Sequence, residues 1–524
     1  MSKPIESFFD EKTVGYKLWQ KPTGTMNICQ SEIVFQAPLL KPSAKGLLKL
    51  RYFVLTPDHL FYLESEQKPR LIAVMPTAFV RVDYLLPGQG ETSQGSFCFR
   101  FIRNMRFFDL FAEDETSFRE WRTQLARVFI QCDFHSKFNT IKLMGKGSFA
   151  RVYLVEDKET KAKYAVKAFS KEYVLSQAKG KESLINEIAI MQKLHHPYIM
   201  NLEEVHESKN SVYLVLELLQ GGELLSYLST KESFSTGDVV RVMRCILEAL
   251  AYMADKKIMH RDLKPENMIL KEKNKLEFCT LKLVDFGLAT VYDIPEYLFK
   301  RCGTPGFVAP EVINAPSNEN IHYLPKCDVF SAGVVMYLLL TDKSPFDGKS
   351  FKEILQKNKL CKIDFKHPKL KKNSQALDIL TKMMDPNPIT RVSARDALKH
   401  PFFGDSEDAC MQIEGEMLEP PMFSGYLRAK EEQKLNFKYQ QEGSLVIRDN
   451  IINGRTDSIH ESSNSQGAIF SFKSMTSPKK MATNAPRESI LKYVLLQNTN
   501  PRDATIYDHN FTEEEVQSDC EEVF

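Results

Sequence analysis

Four polar residues in the middle of the chain could bind a phosphorylated ligand and its metal ions. Asp262, Lys264 and Asn267 lie in the segment His-Arg-Asp-Leu-Lys-Pro-Glu-Asn, and Asp285 follows in the segment Leu-Val-Asp-Phe-Gly. Carboxylate and amide oxygens suit hard divalent cations, and a lysine ammonium neutralises phosphate charge. Phosphoryl transfer also needs a carboxylate that accepts or orients the proton of an attacking hydroxyl.

A glycine-rich segment and a strand lysine lie upstream of these residues. The segment Ile-Lys-Leu-Met-Gly-Lys-Gly-Ser-Phe-Ala-Arg-Val predicts a hairpin in which Gly145 and Gly147 let backbone N–H groups approach a phosphate. Lys167 ends the apolar strand Tyr-Ala-Val-Lys, and Glu187 lies beside the apolar stripe of a helix predicted at 182–191. Each segment alone is ambiguous, because glycines often mark plain turns and strand lysines usually face solvent.

The joint order of these segments carries a resemblance to a known family. Together with Gly-Thr-Pro-Gly-Phe-Val-Ala-Pro-Glu at 303–311, they make residues 139–403 resemble the catalytic domain of eukaryotic protein kinases, over about half of the chain. The resemblance implies an α+β, bilobal fold with a β-rich N-lobe and an α-helical C-lobe. It further implies an enzyme, an ATP- and Mg²⁺-dependent serine/threonine kinase that acts on protein substrates. A lysine at 264 is similar to serine/threonine kinases and unlike tyrosine kinases.

The resemblance also implies roles for individual residues. Asp262 would accept or orient the proton of the substrate hydroxyl, Lys264 would steady the γ-phosphate, and Asn267 and Asp285 would hold the metal ions. The remaining ATP contacts are expected from the glycine-rich hairpin, the hinge between the lobes and the walls around adenine. These residues are Met144, Gly145, Lys146, Gly147, Ser148, Phe149, Val152, Ala165, Leu216, Glu217, Leu219, Glu223 and Ile269.

Three further contacts are implied by the same resemblance. Lys167 would hold the α- and β-phosphates and pair with Glu187. Glu311 and Arg391 would form a buried structural ion pair, and Asp328 would hold the backbone of the segment around Asp262.

The kinase group and substrate preference follow from other positions. The segment 303–311 resembles the calcium/calmodulin-dependent kinase group more than the AGC group, in which an acidic residue usually stands at Gly306. Glu223 and Glu266 are acidic where basophilic kinases bind arginines, and with Thr304 they are the expected substrate contacts. We predict a Ser/Thr acceptor with an arginine three residues upstream. The alternative is that both carboxylates are solvated or serve ATP.

Lys300 stands where the activation-loop phosphothreonine is usual in this family. A lysine cannot carry phosphate, and Arg261, which normally pairs with that phosphate, would then face a like charge. The candidates to neutralise Arg261 are Asp293 and Glu296. We therefore predict that activity does not depend on phosphorylation at the usual position; phosphorylation of Thr290 or Tyr297 is the alternative.

Residues 23–132 are predicted to form strands followed by one helix. Phe97, Phe99 and Phe101 alternate with other residues at the period of a strand, and apolar residues from Phe118 to Phe129 share one helical face that includes Trp121. This pattern resembles a pleckstrin-homology (PH) domain, a β-sandwich or barrel capped by a C-terminal helix. The connection at 133–138 is short and lacks Gly and Pro, so we expect the two domains to be neighbours.

Three basic residues of this region suggest a ligand. Lys41, Lys49 and Arg51 fit the arrangement that phosphoinositide-binding PH domains use on their first hairpin, where three cations suit a multiply phosphorylated headgroup. The alternative is a solvated basic strand face. Binding would place the protein at membranes peripherally or release an inhibitory contact of this region with the catalytic domain, and would thereby regulate the kinase.

Composition limits the other possibilities. The chain has 524 residues, 43% hydrophobic and 26% charged, with a net charge of +2, which excludes a wholly disordered protein and disfavours a nucleic-acid partner. The longest apolar run, at 332–340, is too short to span a membrane. Ten scattered cysteines without a C-x-x-C pair indicate reduced thiols and a cytoplasmic location.

Residues 404–524 are mostly polar and are predicted to be a largely disordered regulatory tail. The segment 425–438 is only mildly basic, so we expect no calmodulin binding. The tail also lacks the F-x-x-F-[ST] segment of AGC kinases, which disfavours a lipid-regulated AGC-like kinase. A second alternative is a pseudokinase scaffold, since Ala150 replaces the third glycine of the hairpin. The filled lysine, aspartate and asparagine positions disfavour it.

Overall fold

The structure is a computed structural model of the full chain. It describes residues 7–10, 17–22, 28, 33–43, 47–66, 70–86, 97–132, 134–147, 150–224, 235–272, 281–294, 296–315, 323–348 and 350–404. Ser148, Phe149 and all but the first residue of the predicted tail lie outside these ranges. The prediction of tail disorder and the segment 425–438 therefore fall outside the described residues.

The first domain is antiparallel sheet closed by one helix. Its strands are β1 (Phe35–Pro42), β2 (Leu48–Leu55), β3 (His59–Leu63), β4 (Leu71–Pro76), β5 (Arg81–Leu85), β6 (Cys98–Arg103) and β7 (Arg106–Phe111), and its helix is α1 (Glu115–Val128). The side chain of Asp114 caps α1 by accepting a hydrogen bond from the backbone N–H of Ser117 at 2.7 Å. The fully buried Trp121 of α1 meets Phe35 edge-on, which confirms the predicted closing helix.

The next elements form a second β-rich unit. They are β8 (Ile130–Cys132), α2 (Phe134–Lys137), β9 (Phe138–Lys146), β10 (Arg151–Asp157), β11 (Lys163–Ser170), α3 (Lys171–Ser176), α4 (Gly180–Met191), β12 (Leu202–Glu207), β13 (Ser211–Glu217) and β14 (Gly222–Glu223). Strand β8 pairs in parallel with β5 on one side and with β12 on the other. Strands β1 to β13 therefore form one sheet of thirteen strands, which confirms that the two domains are neighbours, whereas β14 pairs with a strand at Met268–Leu270 in the next part of the chain.

The remaining described part of the chain is mainly helical. It comprises α5 (Thr236–Asp255), β15 (Ile258–Met259), β16 (Met268–Leu270), β17 (Leu281–Leu283), β18 (Thr290–Val291), α6 (Pro310–Ile313), α7 (Lys326–Thr341), α8 (Phe351–Leu360), α9 (Pro368–Lys371), α10 (Ser374–Met383) and α11 (Ala394–Leu398), with 3₁₀ turns at Pro265–Asn267 and Pro401–Phe403. A β-rich lobe is thus followed by a helical lobe, as predicted. Among the described helices, none has both the length and the apolarity needed to cross a bilayer.

A buried ion pair between Arg391 and Glu311 links separate segments of the helical lobe. Arg391 is fully buried and binds Glu311 through two parallel hydrogen bonds of 2.6 and 2.8 Å. The same guanidinium donates to the backbone oxygens of Lys326 and Asp385, so its donors are satisfied away from water. The geometry agrees with the structural ion pair implied by the resemblance.

Candidate active site

An ammonium group bridges two carboxylates in the cleft between the lobes. The Nζ atom of Lys167, on β11, lies 2.8 Å from Oε1 of Glu187 on α4 and 3.2 Å from Oδ1 of Asp285. The Lys167 charge lowers the pKa of Asp285 to about 2, with a smaller contribution from Lys264, so this carboxylate is ionised at neutral pH. The structure thus brings together three of the predicted residues from three separate segments.

Asp285 is suited to hold a cation. Its backbone adopts a left-handed conformation, with φ at 64°, and its side chain remains half exposed although the adjacent residues Val284 and Phe286 are buried. A non-glycine residue in this region is strained, and such strain clusters at functional sites. The positive φ presents the Asp285 carboxylate toward the cleft, next to the lysine.

A second cluster surrounds the carboxylate of Asp262. Its Oδ1 atom accepts a hydrogen bond from the Thr304 hydroxyl at 2.6 Å, and its Oδ2 lies 3.0 Å from Nζ of Lys264 and 3.2 Å from Nδ2 of Asn267. Lys264 also donates to Thr304 at 2.9 Å. Every one of these four residues was predicted to act in the site, and the structure places them in direct contact.

Buried hydrogen bonds hold the backbone of this segment. Both carboxylate oxygens of Asp328 accept backbone N–H groups, from His260 at 2.7 Å and from Arg261 at 2.8 Å. The contact matches the predicted role of Asp328. The backbone oxygen of Asn267 accepts the N–H of Val284 at 3.0 Å, which ties the Asp262 segment to the residue preceding Asp285.

The predicted adenine walls lie on paired strands. The register places Val152 opposite Lys167 and Ala165 opposite Leu216, while in the other lobe Glu223 lies opposite Ile269. Within the hairpin, Gly145 and Lys146 pair with Val152 and Arg151. A Cβ atom at Gly145 would meet nothing within 4 Å, so the space beside this backbone is open. Met144 precedes it on β9, Gly147 ends the described part of the hairpin, and Leu219 follows β13.

The side chain of Glu217 has a contact that the sequence analysis missed. Glu217 and Lys282 are both buried, and their Oε1 and Nζ atoms lie 2.6 Å apart. Lys282 also donates to the backbone oxygen of Ile199, and Glu217 accepts the N–H of Asn201. The pair ties the hinge to β17, three residues before Asp285. A lysine between two leucines on a buried strand was the available signal.

The two acidic residues assigned to substrate differ in their surroundings. Burial raises the pKa of both Glu223 and Glu266. The Oε2 atom of Glu266 is buried and has no hydrogen-bond partner among the described residues. A buried carboxylate oxygen without a partner is costly, which a cationic ligand would relieve.

The structure contradicts the two candidates for neutralising Arg261. Asp293 binds Lys257 at 2.6 Å, and Glu296 lies 3.5 Å from Lys300. Arg261 is instead held by neutral oxygens, donating to the backbone of Leu288 and Phe299 and to the hydroxyl of Tyr323. Backbone carbonyls compete well for a buried guanidinium, because they are already desolvated and fixed in direction. The prediction failed because it considered only charged side chains.

The alternative phosphorylation sites are inaccessible. Thr290 and Tyr297 are 2% and 3% exposed. The Tyr297 hydroxyl lies within hydrogen-bond distance of the backbone oxygens of Tyr292 and Tyr323, to one of which it donates, and its ring lies 5.5 Å from the Arg261 guanidinium. Both residues therefore act as packing groups in this conformation.

The three basic residues of the first domain lie on one face of the hairpin formed by β1 and β2. Lys41 and Lys49 lie opposite each other on β1 and β2, and Arg51 follows on the same face of β2. Arg51 donates to the hydroxyl of Tyr62 at 3.1 Å, and the Lys41 ammonium lies over the ring of Tyr62. Burial and the neighbouring charge of Arg51 lower the pKa of Lys41. The charges of Lys41 and Arg51 repel one another, so an anion between them would be stabilising.

Comparison with known families matches both parts of the chain. Residues 138–403 match the model of the protein kinase domain, and residues 33–129 match the model of the PH domain. The first match spans about half of the chain. The protein kinase match covers the β-rich lobe together with the helical lobe. The PH match covers the first domain, with its strands β1 to β7 and helix α1.

Individual relatives agree with the first match. Calcium-dependent protein kinase 4 of Plasmodium falciparum is 39% identical over 268 residues, which are 51% of this chain and 49% of that protein. Myosin light chain kinase A of Dictyostelium discoideum is 36% identical over 266 residues, 49% of this chain and 85% of that protein. A serine/threonine-protein kinase H1 homolog of Pinctada fucata is 34% identical over 267 residues, 51% of this chain and 61% of that protein. The chain spans about half the length of the first of these relatives.

Proposed function

Because the chain belongs to the protein kinase family, we propose that it is an active serine/threonine protein kinase that transfers the γ-phosphate of ATP to protein substrates. The observation that supports this most is that Lys167 pairs with Asp285, while the backbone bond from Val284 to Asn267 ties Asp285 to the cluster around Asp262. A pseudokinase would not need this set of side chains. Ala150, the departure that motivated that alternative, is buried and leaves the hairpin strands paired.

The residues act on the reactants in defined ways. Lys167, oriented by Glu187, is positioned to neutralise phosphate charge beside β11. Asp262 accepts a hydrogen bond from the Thr304 hydroxyl, which shows that this carboxylate can accept from a Ser or Thr side chain. A substrate hydroxyl at the same oxygen would be oriented for in-line attack, while Lys264 compensates the charge that develops.

Two residues fit a magnesium ion. Mg²⁺ is usually bound by one or two protein groups together with substrate phosphates. The half-exposed carboxylate of Asp285 is one such group. Asn267 directs its amide nitrogen toward Asp262, so the oxygen of its planar amide faces away and is suited to be the second. When bound, the ion would supply charge neutralisation at the transferring phosphate.

A peptide-library assay with magnesium and ATP tests this proposal. Mass spectrometry of the products should find phosphate on Ser and Thr residues and none on Tyr. The Asp262→Asn variant should transfer phosphate on the order of 10²-fold more slowly, because it loses the hydroxyl-orienting carboxylate. Asp293→Asn, an exposed carboxylate of the same domain, is the matched control and should behave as wild type. Equal rates for Asp262→Asn and wild type would refute the assignment.

The same library tests basophilic specificity, which we propose for the acidic residues. Glu266 offers a buried oxygen without a partner, and Glu223 lies nearby on β14. Peptides with Arg three residues before the acceptor should therefore be favoured, and Glu223→Gln and Glu266→Gln should reduce that preference. A preference that both variants retain would instead favour the alternative in which these carboxylates are solvated or serve ATP.

We also propose that activity does not require phosphorylation of the activation segment. Arg261 already binds three oxygens, and Thr290 and Tyr297 are buried. Phosphatase treatment should therefore leave activity unchanged. Loss of activity, together with a phosphate mapped to residues 290–304 in the untreated protein, would overturn this.

For the PH domain we propose phosphoinositide binding by Lys41, Lys49 and Arg51, which would bring a cytoplasmic protein to a membrane peripherally and regulate the kinase. The support is the convergence of the three cations on one face of β1 and β2. Co-sedimentation with vesicles containing phosphoinositides should be lost in the Lys49→Ala/Arg51→Ala variant. Equal sedimentation of wild type and variant would reject the site.

We further propose that calmodulin does not regulate this kinase. Addition of calcium and calmodulin should therefore leave activity unchanged.

A further inference from the structure

A short segment before the first domain is buried between the two domains. Ser7–Asp10 forms a tight turn in which the backbone N–H of Asp10 donates to the backbone oxygen of Ser7. Phe8 and Phe9 are 7% and 2% exposed, although they precede the first described strand. This segment, which we call the N-terminal clasp, was not assigned to either domain by sequence.

On one side the clasp binds the PH domain. The ring of Phe9 stacks on Phe79, with centroids 5.4 Å apart and planes within 7°. The Oδ1 atom of Asp10 accepts the backbone N–H of Asn104 at 2.7 Å. Phe79 and Asn104 lie in the turns before β5 and between β6 and β7, so the clasp joins two turns at one end of this domain.

On the other side the clasp binds the β-rich lobe of the kinase domain. Phe8 and Phe9 belong to the same buried apolar cluster as Leu184 and Ile188 of α4. The ammonium of Lys181, in the first turn of α4, lies 5.4 Å from the centre of the Phe8 ring. Lys181 also donates to the backbone oxygen of Asp10 at 3.5 Å, so the clasp contacts the start of the helix that carries Glu187.

Glu207, at the end of β12, is the charged centre of this contact. Its side chain is 1% exposed, and its carboxylate accepts the Ser7 hydroxyl and the Phe8 backbone N–H, both at 2.6 Å. Lys171 of α3 binds the same carboxylate at 2.6 Å, and Arg81 of β5 lies 3.7 Å from it. One buried carboxylate thus joins the clasp, the PH domain and the kinase domain.

Helix α4 contacts the clasp at its start and the PH domain at its end. Lys181 meets the clasp near the start of the helix, and Gln192, its C-cap, donates to the backbone oxygen of Val128 at the end of α1 in the PH domain. Asn186 donates to the backbone oxygen of Ala289, shortly after Asp285. Glu187 lies between these attachments and keeps its 2.8 Å contact with Lys167.

We propose that Phe8 and Phe9 are positioning residues for catalysis: the N-terminal clasp, anchored on the PH domain, holds α4 where Glu187 meets Lys167. The proposal rests on the proposed kinase function. It makes the PH domain an activating brace of the kinase domain, because the clasp contacts α4 through Lys181 and the PH domain through Phe79 and Asn104. A shift of α4 would separate Glu187 from Lys167, so catalysis depends on the fraction of molecules in which the clasp is closed.

The test uses the full chain with Phe8→Ala/Phe9→Ala. Hydrogen exchange of the backbone amides at 180–191 should accelerate, and phosphotransfer to a peptide should fall about ten-fold or more as the competent population decreases. A synthetic peptide with the sequence of residues 5–12 should restore both, whereas the same peptide with both phenylalanines replaced by alanine should not. Phe107→Ala, which removes an exposed phenylalanine from the PH domain, is the control and should change neither.

Exchange at 180–191 decides the outcome. Unchanged exchange in the double variant overturns the proposal, whatever happens to activity. If the double variant does not fold, Lys181→Ala replaces it, since that change leaves every buried side chain in place; unchanged exchange at the start of α4 would again overturn the proposal. The exchange measurement needs no phosphotransfer. It therefore remains decisive even if the wild type transfers no phosphate. Absence of phosphotransfer by the wild type would refute the proposed kinase function and not the role of the clasp.

Discussion

Replacement of Lys167 by methionine separates the catalytic use of this lysine from its structural one. The Glu187 side chain is 6% exposed and that of Lys167 is 21% exposed, so the change leaves a buried carboxylate without its cation, at a cost of about 3–5 kcal/mol in the free energy of unfolding. Loss of charge-assisted hydrogen bonds to two phosphates, at about 1.5–3 kcal/mol each, predicts a fall in kcat/KM on the order of 10²–10⁴-fold.

The matched variant is Lys167→Met/Glu187→Met. Removing both charges should recover most of the lost stability, because no unpaired charge remains buried, while kcat/KM should stay as low as in the single variant. Urea denaturation measures the first quantity, and steady-state kinetics with varied ATP measures the second. Recovery of activity together with stability in the double variant would refute the assignment of Lys167 to the phosphates.

Three further changes have expected outcomes. Burial, with the charge of Lys282, lowers the pKa of His196 from 6.5 to about 4. Between these two pKa values the unfolded state binds more protons than the folded state, so the free energy of unfolding should decrease as the pH drops from about 6.5 toward about 4. The midpoint of urea denaturation should decrease less over this pH range in His196→Gln than in the wild type. Arg391→Met should cost about 3–5 kcal/mol in urea denaturation by leaving Glu311 unpaired, whereas Arg395→Met, an exposed pair, should cost under about 1 kcal/mol; equal losses would contradict this. Thr304→Val removes the hydroxyl between Lys264 and Asp262 and should lower kcat about 5- to 30-fold, and an unchanged kcat would oppose it.

Local pattern was sufficient for much of the fold and for the candidate site. The predicted alternation of Phe99 and Phe101 lies on β6, and the predicted apolar face from Phe118 lies on α1. Periodicity depends on neighbours in sequence, so it is readable without coordinates. The predicted grouping of Asp262, Lys264, Asn267 and Thr304 depended instead on resemblance, because no local rule brings these segments together.

The contacts that sequence missed are long-range and lack periodicity. Ser7 and Glu207 are 200 residues apart, and nothing in a four-residue turn indicates such a partner. Strand β8 joins the two domains through only three residues, too few to show alternation. Arg261 satisfies its charge on carbonyl oxygens, which every residue carries and which a search for acidic side chains overlooks.

Phosphoamino acid analysis tests the central claim most directly. The full chain is incubated with γ-labelled ATP, magnesium and a peptide that contains Ser, Thr and Tyr, and the labelled residue is identified after hydrolysis. The account predicts label on serine or threonine with the wild type and almost none with Asp285→Asn, which loses the charge held beside Lys167. Label on tyrosine, or equal labelling by wild type and variant, would contradict it.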